Sequence, residues 1–511
     1  MAASPAGGLH EIHPDQAEPF DPAGLRVLVA GGGVSGFAAA DALAERGAQV
    51  ILVDGADPAS SPQLMERLHI LDILGVDVRV GPQHVERMPD APIDLVVTSP
   101  GWRPDHPLLA AADLLGTPIW GEVELAWRLR PVGAAPWLTL TGTNGKTTTV
   151  QMLTSMLRAA GLRACSAGNV GTPILEAVLH PEPFEVIAVE LSSFQLHWSL
   201  SLSPLASACL NIAPDHLDWH GSMEAYRAAK GKVYERTQLA CVYNVDDPVT
   251  EELVREADVV EGARAIGFTL GVPRRSMLGL VEDVLADRAF VEQRESSAAE
   301  LGTLADLTGG GEAGGPATTP PSHLVQNALA AAALARAVGV PPVAVREGLR
   351  RFTPEPHRIA DVATIEQVRF VDDSKATNTH AARASVLGYE QVVWIAGGLL
   401  KGADVDDLVR EVAPRLRAVI LIGADRERIA QALRRHAPDV RVFDIADTDT
   451  GVMDRVAALA LDAARPGDVV LLAPAAASMD MFVNYAARGT AFADAVRRLA
   501  QRRRPGAAGG G

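Results

Sequence analysis

"LTGTNGKTTTV", residues 140–150, has the pattern of a phosphate-binding loop from which one glycine is missing. The usual pattern is G-x-x-x-x-G-K-[ST]; its G-K-T ending fits from Gly145, but Leu140 stands where the first glycine belongs and Gly142 follows two residues later. The loop lies between an apolar strand and a helix. Backbone N–H groups, the lysine ammonium and the helix dipole favour a triphosphate there, with the hydroxyl of Thr147 on Mg²⁺.

A second glycine-rich turn lies upstream in "VAGGGVSG", residues 29–36. Gly31, Gly33 and Gly36 satisfy G-x-G-x-x-G after a strand and before a helix, and Asp54 ends the next strand. Small residues let the backbone approach a pyrophosphate at a helix N-terminus. The features predict a nucleotide diphosphate site: NAD with Asp54 on its ribose, or any UDP- or ADP-containing ligand. A tight turn without a ligand is the structural alternative.

The bulk composition predicts a cytoplasmic chain of several domains. At 511 residues, with 48 % apolar and 21 % charged residues, the chain is long enough for about three domains. Its net charge of −17 argues against nucleic acid or an acidic membrane as the main partner. The sequence has no CxxC pair, no signal-peptide pattern and no apolar run long enough to cross a membrane. We expect a monomer in a reducing compartment.

Short β-rich runs alternate with helical stretches, which predicts the α/β class with parallel, doubly wound sheets. The segment from about 294 to 322 is rich in small and polar residues, as is typical of a mobile surface insertion. The predicted boundaries are 1–20 for a disordered extension, 21–131, 132–354 and 355–500 for three domains, and 501–511 for a disordered tail.

Polar residues follow the strands of the middle domain. Glu190 ends the strand "FEVIAVE", a position suited to an acid that holds a metal ion. Asn169 in "AGNVGT" and His216 in "NIAPDHLDWH" also follow or lie between strands, although each alone is more often a structural loop residue than a ligand. Lys230, in "AYRAAKGKVY", has the pattern of an exposed helical lysine.

Four motifs of the middle domain together resemble the Mur ligase family: "TGTNGKTTT", "ELSSFQL", "NIAPDHLDWH" and "YRAAKGKVY". Members of that family lack the first glycine of the phosphate loop, and their N-terminal domain resembles a Rossmann unit but holds a UDP-sugar. The resemblance covers about residues 26–500. It implies a Rossmann-like N-terminal UDP-binding domain, a central P-loop ATPase-type domain and a Rossmann-like C-terminal domain for the amino acid and nucleotide.

Motifs of the third domain resemble the family member that adds D-glutamate to UDP-N-acetylmuramoyl-L-alanine; they are "DDSKATN" at 372–378, "IAGGLLKGADVDDL" at 395–408 and "APAAASMDMF" at 473–482. The resemblance implies ATP-dependent amide synthesis through an acyl phosphate, in the making of peptidoglycan precursors. ATP, D-glutamate and the UDP-sugar would be the substrates. Two Mg²⁺ ions and a carbamylated lysine would be the cofactors.

Matching motifs imply a role for each site residue. Those implied to bind ATP are Gly142, Thr143, Asn144, Gly145, Lys146, Thr147, Thr148, Asn327, Arg358 and Asp373. Those implied to bind the UDP-substrate are Gly31, Gly33, Ser35, Gly36, Asp54, Ser99, Gly101 and Asn169. Those implied to bind D-glutamate are Thr377, Lys401, Ser478 and Tyr485. The implied metal ligands are Thr147, Glu190, His216 and Lys230 as its carbamate, and the implied catalytic residues are Lys146, His216, Lys230 and Lys375.

Lys401 has a physical argument of its own. D-Glutamate carries two carboxylates, and burying either is costly without a cationic partner. Lys401 follows the turn after "VVWIAGG", at the C-terminal end of a parallel strand, where such sheets place their ligands. The alternative is an ordinary surface lysine at a helix start, where the dipole disfavours a cation unless an anion is bound nearby.

The chain departs from the family pattern at two positions. The run H-N-x-x-N reads "HLVQN", with Leu324 in place of the first asparagine, and Tyr485 stands where phenylalanine is expected.

Three other functions fit fewer of the motifs. A nicotinamide-dependent oxidoreductase is supported by the first glycine loop alone; a P-loop switch or transport ATPase needs neither that loop nor "DDSKATN"; a folylpolyglutamate synthase-like ligase lacks the N-terminal UDP-sugar unit.

Overall fold

The computed structural model describes residues 19–169, 171–308, 320–353, 357–446 and 451–503, and it has the expected α/β fold. Within these residues the strands form three sheets. The chain divides into two compact units. One comprises the described residues up to Ile212 together with Gly221–Phe352, and the other comprises Ala213–His220 together with the described residues from Thr353 onward. The first two sheets therefore lie in the same unit.

The first sheet is parallel, with the strand order β3-β2-β1-β4-β5. Its strands are β1 (Arg26–Ala30), β2 (Gln49–Asp54), β3 (Asp77–Val80), β4 (Leu95–Thr98) and β5 (Ile119–Gly121). The helices of this region are α1 (Val34–Ala44), α2 (Pro62–Ile73), α3 (Pro107–Leu114) and α4 (Glu122–Arg128). Because β2 and β3 are added on one side of β1 and β4 and β5 on the other, the carboxyl ends of β1 and β4 border the crevice where such sheets bind ligands.

The second sheet has the strand order β14-β13-β12-β11-β10-β9-β6-β8-β7 and is parallel except at the β12–β13–β14 edge. Its strands are β6 (Trp137–Thr141), β7 (Ala164–Gly168), β8 (Val186–Glu190), β9 (Ala206–Cys209), β10 (Ala240–Asn244), β11 (Arg264–Phe268), β12 (Met277–Val281), β13 (Val284–Asp287) and β14 (Ala299–Thr303). The helices in this stretch are α5 (Lys146–Ala159), α6 (Ile174–Val178), α7 (Ser193–His197), α8 (Leu217–His220), α9 (Met223–Gly231), α10 (Pro248–Glu256), α11 (Ser322–Ala337) and α12 (Pro342–Arg351).

The third sheet has the strand order β15-β16-β20-β17-β18-β19, with β15 antiparallel to β16 and the other pairs parallel. Its strands are β15 (Ala360–Ile365), β16 (Val368–Asp372), β17 (Val392–Gly397), β18 (Leu416–Ile422), β19 (Arg441–Asp444) and β20 (Val469–Leu472). The helices of this unit after residue 353 are α13 (Thr379–Leu387), α14 (Asp406–Val412), α15 (Arg426–His436), α16 (Val452–Ala463) and α17 (Tyr485–Arg503).

One apolar core joins the first two sheets. Side chains from both sheets and from the helices between them pack into a single buried cluster. In that cluster Trp127 on α4 lies edge-on to Trp137 on β6, with ring centroids 4.9 Å apart. The shared core explains why the first two predicted domains fold as one compact unit, although the boundary between them at about residue 131 stays a prediction.

The predicted disordered extension, 1–20, and disordered tail, 501–511, each include residues that the structure shows to be packed or helical. Phe20 is packed: its ring lies edge-on to Trp120, with centroids 4.9 Å apart, and its N–H donates to the carbonyl oxygen of Arg128 at 2.9 Å. At the other end α17 continues to Arg503. Residues 1–18 and 504–511, the remainder of the extension and tail, lie outside the described residues. Among the described residues, no helix has both the length and the hydropathy that a membrane span requires.

The predicted insertion at about 294–322 is wrong for its first part. Ala299–Thr303 forms β14, which pairs with β13 and buries Leu301 in the core. The sequence "AELGT" resembles a loop because most of its residues are small or polar, but it forms a strand with Leu301 facing inward. Residues 309–319, the middle of the predicted insertion, lie outside the described residues.

Helices α5 and α12 approach so closely that glycine is required at position 348. A Cβ built on Gly348 would lie 2.5 Å from the Cα and 2.6 Å from the N of Met156. The Oγ of Ser155 also donates to the carbonyl oxygen of Gly348 at 2.7 Å. We predict that Gly348→Ala lowers the free energy of unfolding by about 1–3 kcal/mol, because the two helices must separate.

Urea unfolding followed by circular dichroism measures this effect. Gly271→Ala is the matched control in the same unit, since a Cβ there meets its nearest described atom, the Oγ1 of Thr269, at 3.6 Å. Equal unfolding midpoints for the two variants would contradict the close packing of α5 on α12.

Candidate active site

The loop after β6 begins two residues later than the usual phosphate loop because position 140 is still in the strand. Leu140 pairs with Glu190 of β8 and is fully buried. The turn starts at Gly142, with a φ of 155°, and Gly145 has a left-handed φ of 84° at the N-cap of α5. A Cβ at Gly145 would lie 2.3 Å from the Oδ1 of Asn327, so this asparagine lies directly over the loop.

Neighbouring strands of the second sheet bring polar residues to one edge. The phosphate loop follows β6, Glu190 ends β8, Asn169 follows β7 and Asn211 follows β9. Asn211 was not among the predicted residues. Its Oδ1 accepts from the N–H of Asn144 at 2.8 Å and its Nδ2 donates to the carbonyl oxygen of Asn144 at 3.1 Å, so it holds the loop in place. Its position just after a buried strand is the sequence signal for this role.

Two lysines converge on the carbonyl oxygen of Gly142. The Nζ of Lys146 donates to this oxygen at 2.8 Å and to the carbonyl oxygen of Thr143 at 3.0 Å. The Nζ of Lys230 donates to the same Gly142 oxygen at 2.8 Å and to the Oγ1 of Thr141 at 3.2 Å. Two ammonium groups on one oxygen repel each other, and burial strengthens that repulsion. The arrangement therefore favours negative charge close to the loop.

Lys230 is buried, so the expectation of an exposed helical lysine is wrong. Its relative exposure is 2 %, and it shares the inner side of α9 with Tyr226 and Ala229. With the buried Val233, these residues fall at positions i, i+3, i+4 and i+7, the spacing of an apolar stripe. That spacing is the sequence signal that marks Lys230 as a lysine in a core position.

Glu190 presents an oxygen suited to a cation. The side chain is buried; its Oε1 accepts from the Nδ2 of Asn169 at 2.9 Å, while its Oε2 has no hydrogen-bond partner within the described residues. A buried carboxylate oxygen is costly unless a donor or a cation joins it. The described residues contain no cluster of three or more His, Cys, Asp or Glu that could hold a metal ion. A Mg²⁺ beside Glu190 would therefore take most of its ligands from phosphate and water.

The glycines of the first loop differ in their surroundings. Gly31 has a φ of 99°, and a Cβ there would lie 2.7 Å from the Oγ of Ser99. A Cβ on Gly36 would lie 1.7 Å from the carbonyl oxygen of Gly31, so Gly36 lets α1 pack tightly against the loop. A Cβ on Gly33, the N-cap of α1, would meet no described atom within 4 Å. Gly33 is thus the member of the motif that leaves room for a ligand.

Asp54 supports the loop directly. Its Oδ2 accepts from the N–H of Gly32 at 2.6 Å, and its Oδ1 accepts from the N–H of Ala56 at 2.8 Å. Each carboxylate oxygen therefore already has a backbone donor, and any contact of Asp54 with a ribose would be an additional one.

The other predicted residues of this site are two serines and a glycine. The Oγ of Ser99 donates to the carbonyl oxygen of Gly31 at 3.3 Å, and Gly101 is exposed. Ser35 lies at the buried carboxyl of Glu122: burial raises the pKa of Glu122, and the hydrogen bond with Ser35 offsets part of that rise. Ser35 and Ser99 thus interact with the protein around the loop.

In the second unit, the neighbouring strands β16, β20 and β17 bring together another predicted set. Asp373 and Lys375 follow β16, Ser478 follows β20 and Lys401 follows β17. The Nζ of Lys375 lies 5.0 Å from the centroid of the Tyr485 ring. Ser478 is buried, midway along the loop between β20 and α17.

Lys401 does not lie at a helix start, so the predicted conflict with a helix dipole is wrong. It is exposed on a turn with a left-handed φ of 51°, and α14 begins only at Asp406. Thr377 also lies in a turn, where its N–H donates to the carbonyl oxygen of Lys375 at 2.8 Å.

His216 belongs to the second unit, within Ala213–His220, and the strand before it, β9, ends at Cys209. The backbone of His216 is left-handed, with a φ of 53°, and its Nε2 lies 3.6 Å from the Oδ2 of Asp215. That Asp215 oxygen accepts from the Nδ2 of Asn378 at 3.4 Å. The structure therefore brings His216 close to the end of the "DDSKATN" turn.

Arg488 is a buried residue of this site that the sequence interpretation missed. Its guanidinium donates to the carbonyl oxygen of Ser374 at 2.9 Å, to the Oγ of Ser374 at 3.0 Å and to the carbonyl oxygen of Ala476 at 3.1 Å. It therefore ties the loop after β16 to the loop after β20. Burial lowers the pKa of Arg488 to about 10. Its spacing to Phe492 and Val496, at i, i+4 and i+8 along α17, is the signal for burial.

Comparison with known families agrees with this arrangement. A model described as the Mur ligase middle domain matches residues 140–335, and one described as the Mur ligase, glutamate ligase domain matches residues 357–476. A model described as an FAD binding domain matches residues 26–107, which include the first glycine loop.

Curated relatives match nearly the full chain. Proteins named UDP-N-acetylmuramoylalanine–D-glutamate ligase from Streptomyces avermitilis and Thermobifida fusca are 58 % and 57 % identical to it, and the matches cover 93 % of this chain and 98 % and 99 % of theirs. The protein of that name from Mycolicibacterium smegmatis is 46 % identical over 93 % of this chain and 97 % of its own. This chain belongs to the UDP-N-acetylmuramoylalanine–D-glutamate ligases of the Mur ligase family.

Solved structures share the Mur ligase fold at low identity. The UDP-N-acetylmuramate–alanine ligase of Thermotoga maritima aligns with a TM-score of 0.52 at 19 % identity, over 94 % of this chain and 99 % of that one. A pseudomurein peptide ligase type C from Methanothermus fervidus aligns with a TM-score of 0.54 at 15 % identity, over 93 % of this chain and 100 % of its own. These likenesses support the fold.

The departure from the Mur ligase pattern at Leu324 has a structural counterpart. Leu324 packs against the apolar cluster beneath α11, so position 324 adds to the core instead of offering a polar group. Asn327, three residues later, still lies over Gly145.

Asp373 gives the second unit a testable pH dependence. Burial raises its pKa from 3.8 to about 6, although a hydrogen bond with Ser385 and the charge of Arg358 hold it down in part. The unfolded chain therefore loses this proton at a lower pH than the folded chain, so the folded state loses stability as pH rises from about 4 to about 6. The loss is at most about 3 kcal/mol.

We predict that Asp373→Asn gains stability relative to the wild type between pH 4 and pH 8, as measured by thermal unfolding at each pH. Ser385→Ala removes a hydrogen bond that favours the carboxylate of Asp373. In this variant the loss of stability with rising pH should therefore extend to higher pH than in the wild type. A difference between Asp373→Asn and the wild type that does not change with pH would contradict the raised pKa.

Proposed function

We propose that this chain is an ATP-dependent ligase that adds D-glutamate to UDP-N-acetylmuramoyl-L-alanine, in the cytoplasm, during the synthesis of peptidoglycan precursors. The observation that carries the proposal is 58 % identity to a relative named for this activity, over 98 % of that relative's length. The two glycine loops support it, because the reaction uses two phosphate-bearing substrates. An oxidoreductase would leave Lys146, Lys230 and Glu190 unexplained.

The reaction needs an activated carboxylate, because a free carboxylate is a poor electrophile. The γ-phosphoryl of ATP passes to the carboxylate of the L-alanine residue, which gives ADP and an acyl phosphate. The amine of D-glutamate attacks the acyl carbon, and phosphate leaves from the tetrahedral intermediate. Because all the reactants are anionic, positioning and electrostatic stabilisation are the main contributions of the protein.

The protein groups around the second glycine loop fit ATP and Mg²⁺. Lys146 would lie against the phosphates, and Thr147 with the Oε2 of Glu190 would hold the ion. Mg²⁺, when bound, neutralises charge on the transferring phosphoryl group. His216 is proposed as a further ligand on the strength of the family motif.

Lys230 is proposed to act as a carbamate beside a second Mg²⁺. As an ammonium, it shares the Gly142 oxygen with Lys146, and the two positive charges repel. A carbamate would replace one of these charges by a negative one, which Lys146 and a metal ion would both attract. An ammonium cannot ligate Mg²⁺, so the proposed role requires this modification.

D-Glutamate is proposed to bind in the second unit, near Lys375, Thr377, Lys401, Ser478 and Tyr485. The two lysines would pair with its carboxylates, because an anion at a buried site needs a cationic partner. Arg358 and Asp373 of the same unit are proposed to contact the nucleotide.

Release of phosphate with defined substrates tests the function. We predict that purified protein with ATP, Mg²⁺ and UDP-N-acetylmuramoyl-L-alanine releases phosphate rapidly when D-glutamate is added and far more slowly with L-glutamate. An equal rate with L-alanine in place of D-glutamate would point to another Mur-type ligase. Binding of NADH or FAD without any ligase activity would point to an oxidoreductase.

A further prediction concerns the carbamate. Lys230→Ala should reduce kcat by at least 100-fold, about 2.7 kcal/mol, and acetate should restore part of it by supplying a carboxylate. After incubation with ¹³C-bicarbonate, the wild type should show a carbamate carbon in its NMR spectrum and Lys230→Ala should not. Lys232→Arg is the control for the label, since Lys232 donates instead to the carbonyl oxygen of His197 at 2.8 Å. An active Lys230→Arg would refute the role.

A further inference from the structure

We propose that Trp102 is a binding residue for the UDP-substrate, in which its indole N–H donates a hydrogen bond to the diphosphate. The inference rests on the proposed function, because it assigns a new contact to the substrate that the first glycine loop would hold. Neither the glycine motif nor the residues predicted from the sequence include Trp102.

The place of Trp102 in the sheet is the first argument. It follows β4 by a few residues, and β4 borders β1 where the strand order reverses. The N–H of Trp102 donates to the carbonyl oxygen of Ser99 at 3.2 Å, which folds the chain back over the end of β4. Ligands of parallel sheets bind in the crevice at this reversal.

The distance to the glycine loop is the second argument. The Nε1 of Trp102 lies 2.9 Å from the point where a Cβ on Gly31 would be. The indole nitrogen therefore lies beside bare backbone of the loop, and any side chain larger than hydrogen at position 31 would displace it. Across the loop, Gly33 leaves space at the N-terminus of α1.

The supply of hydrogen-bond donors is the third argument. A diphosphate needs several donors, but the N–H of Gly32 is already taken by Asp54 at 2.6 Å. The first turn of α1 offers its N–H groups, as every helix N-terminus does. The indole of half-buried Trp102 adds one more, since its Nε1 has no acceptor within the described residues.

His106 supports the indole from the other side. Their ring centroids are 4.4 Å apart with an interplanar angle of 47°. The Nδ1 of His106 accepts from the N–H of Leu108 at 3.3 Å, which fixes the imidazole as the N-cap of α3. Burial lowers the pKa of His106, so the ring is neutral at pH 7 and supports Trp102 by packing.

Trp102→Phe tests the proposal, because phenylalanine keeps an aromatic ring against His106 and loses the N–H. Isothermal titration measures the Kd of UDP-N-acetylmuramoyl-L-alanine, of UDP and of uridine. We expect the Kd of the two diphosphates to rise by about 10- to 150-fold, as for loss of one hydrogen bond to a charged group. The Kd of uridine should change less than twofold, and so should the KM for ATP.

Two further variants keep the result interpretable. Trp120→Phe is the matched control: it makes the same change at a tryptophan of the first sheet whose ring packs against Phe20, and it should leave each Kd unchanged. His106→Asn keeps a hydrogen-bond acceptor at the N-cap of α3 but removes the supporting ring, and a smaller rise in the Kd of the diphosphates is expected. Thermal unfolding midpoints within the wild-type range establish that the variants are folded.

The outcomes separate this inference from the proposed function. An unchanged Kd of UDP in Trp102→Phe overturns the inference, as does an equal loss of affinity for uridine, which would place the ring against the base. If the wild type binds the UDP-substrate and Trp102→Phe does not, while D-glutamate fails to stimulate phosphate release, the contact stands and the proposed function fails.

Discussion

The convergence of two lysine ammonium groups on the carbonyl oxygen of Gly142 is the interaction on which the active region depends. Lys146 reaches that oxygen from the first turn of α5, and Lys230 reaches it from the inner side of α9. Lys230 is buried and Lys146 is partly buried, and repulsion between two such cations favours negative charge nearby. Under the proposed function, the phosphates of ATP and the carbamate of Lys230 would supply that negative charge.

The two glycine loops leave space at the end of a strand in different ways. In the loop after β1, Gly36 allows a close approach of α1 and Gly31 gives a left-handed turn. Gly33 is the one of these three motif glycines that leaves space. In the loop after β6, the strand continues through Leu140, and the space for phosphate comes from a turn that Asn211 holds from the neighbouring strand. In this chain the missing glycine at position 140 thus goes with a turn that starts later, at Gly142.

The sequence predicts the alternation of strands and helices and the loops at the carboxyl ends of strands, because both follow from local patterns. It does not reveal which polar residues are buried. Lys230 and Arg488 occupy buried positions on their helices. The apolar stripe of each helix can be recognised in the sequence only if one charged residue is counted as part of it. β14 was missed because its small residues resemble a loop, and its pairing with β13 is a contact between distant parts of the chain. Lys401 follows β17 as expected, but the helix start suggested for it was wrong, because a turn of several residues precedes α14.

The absence of a side chain at Gly348 lets α12 pack directly on the backbone of α5 at Met156. The first turn of α5 carries Lys146, and α12 ends at Arg351, directly before the point where the chain enters its second unit. Because the two helices touch at Gly348, we expect a displacement of α5 to carry α12 with it.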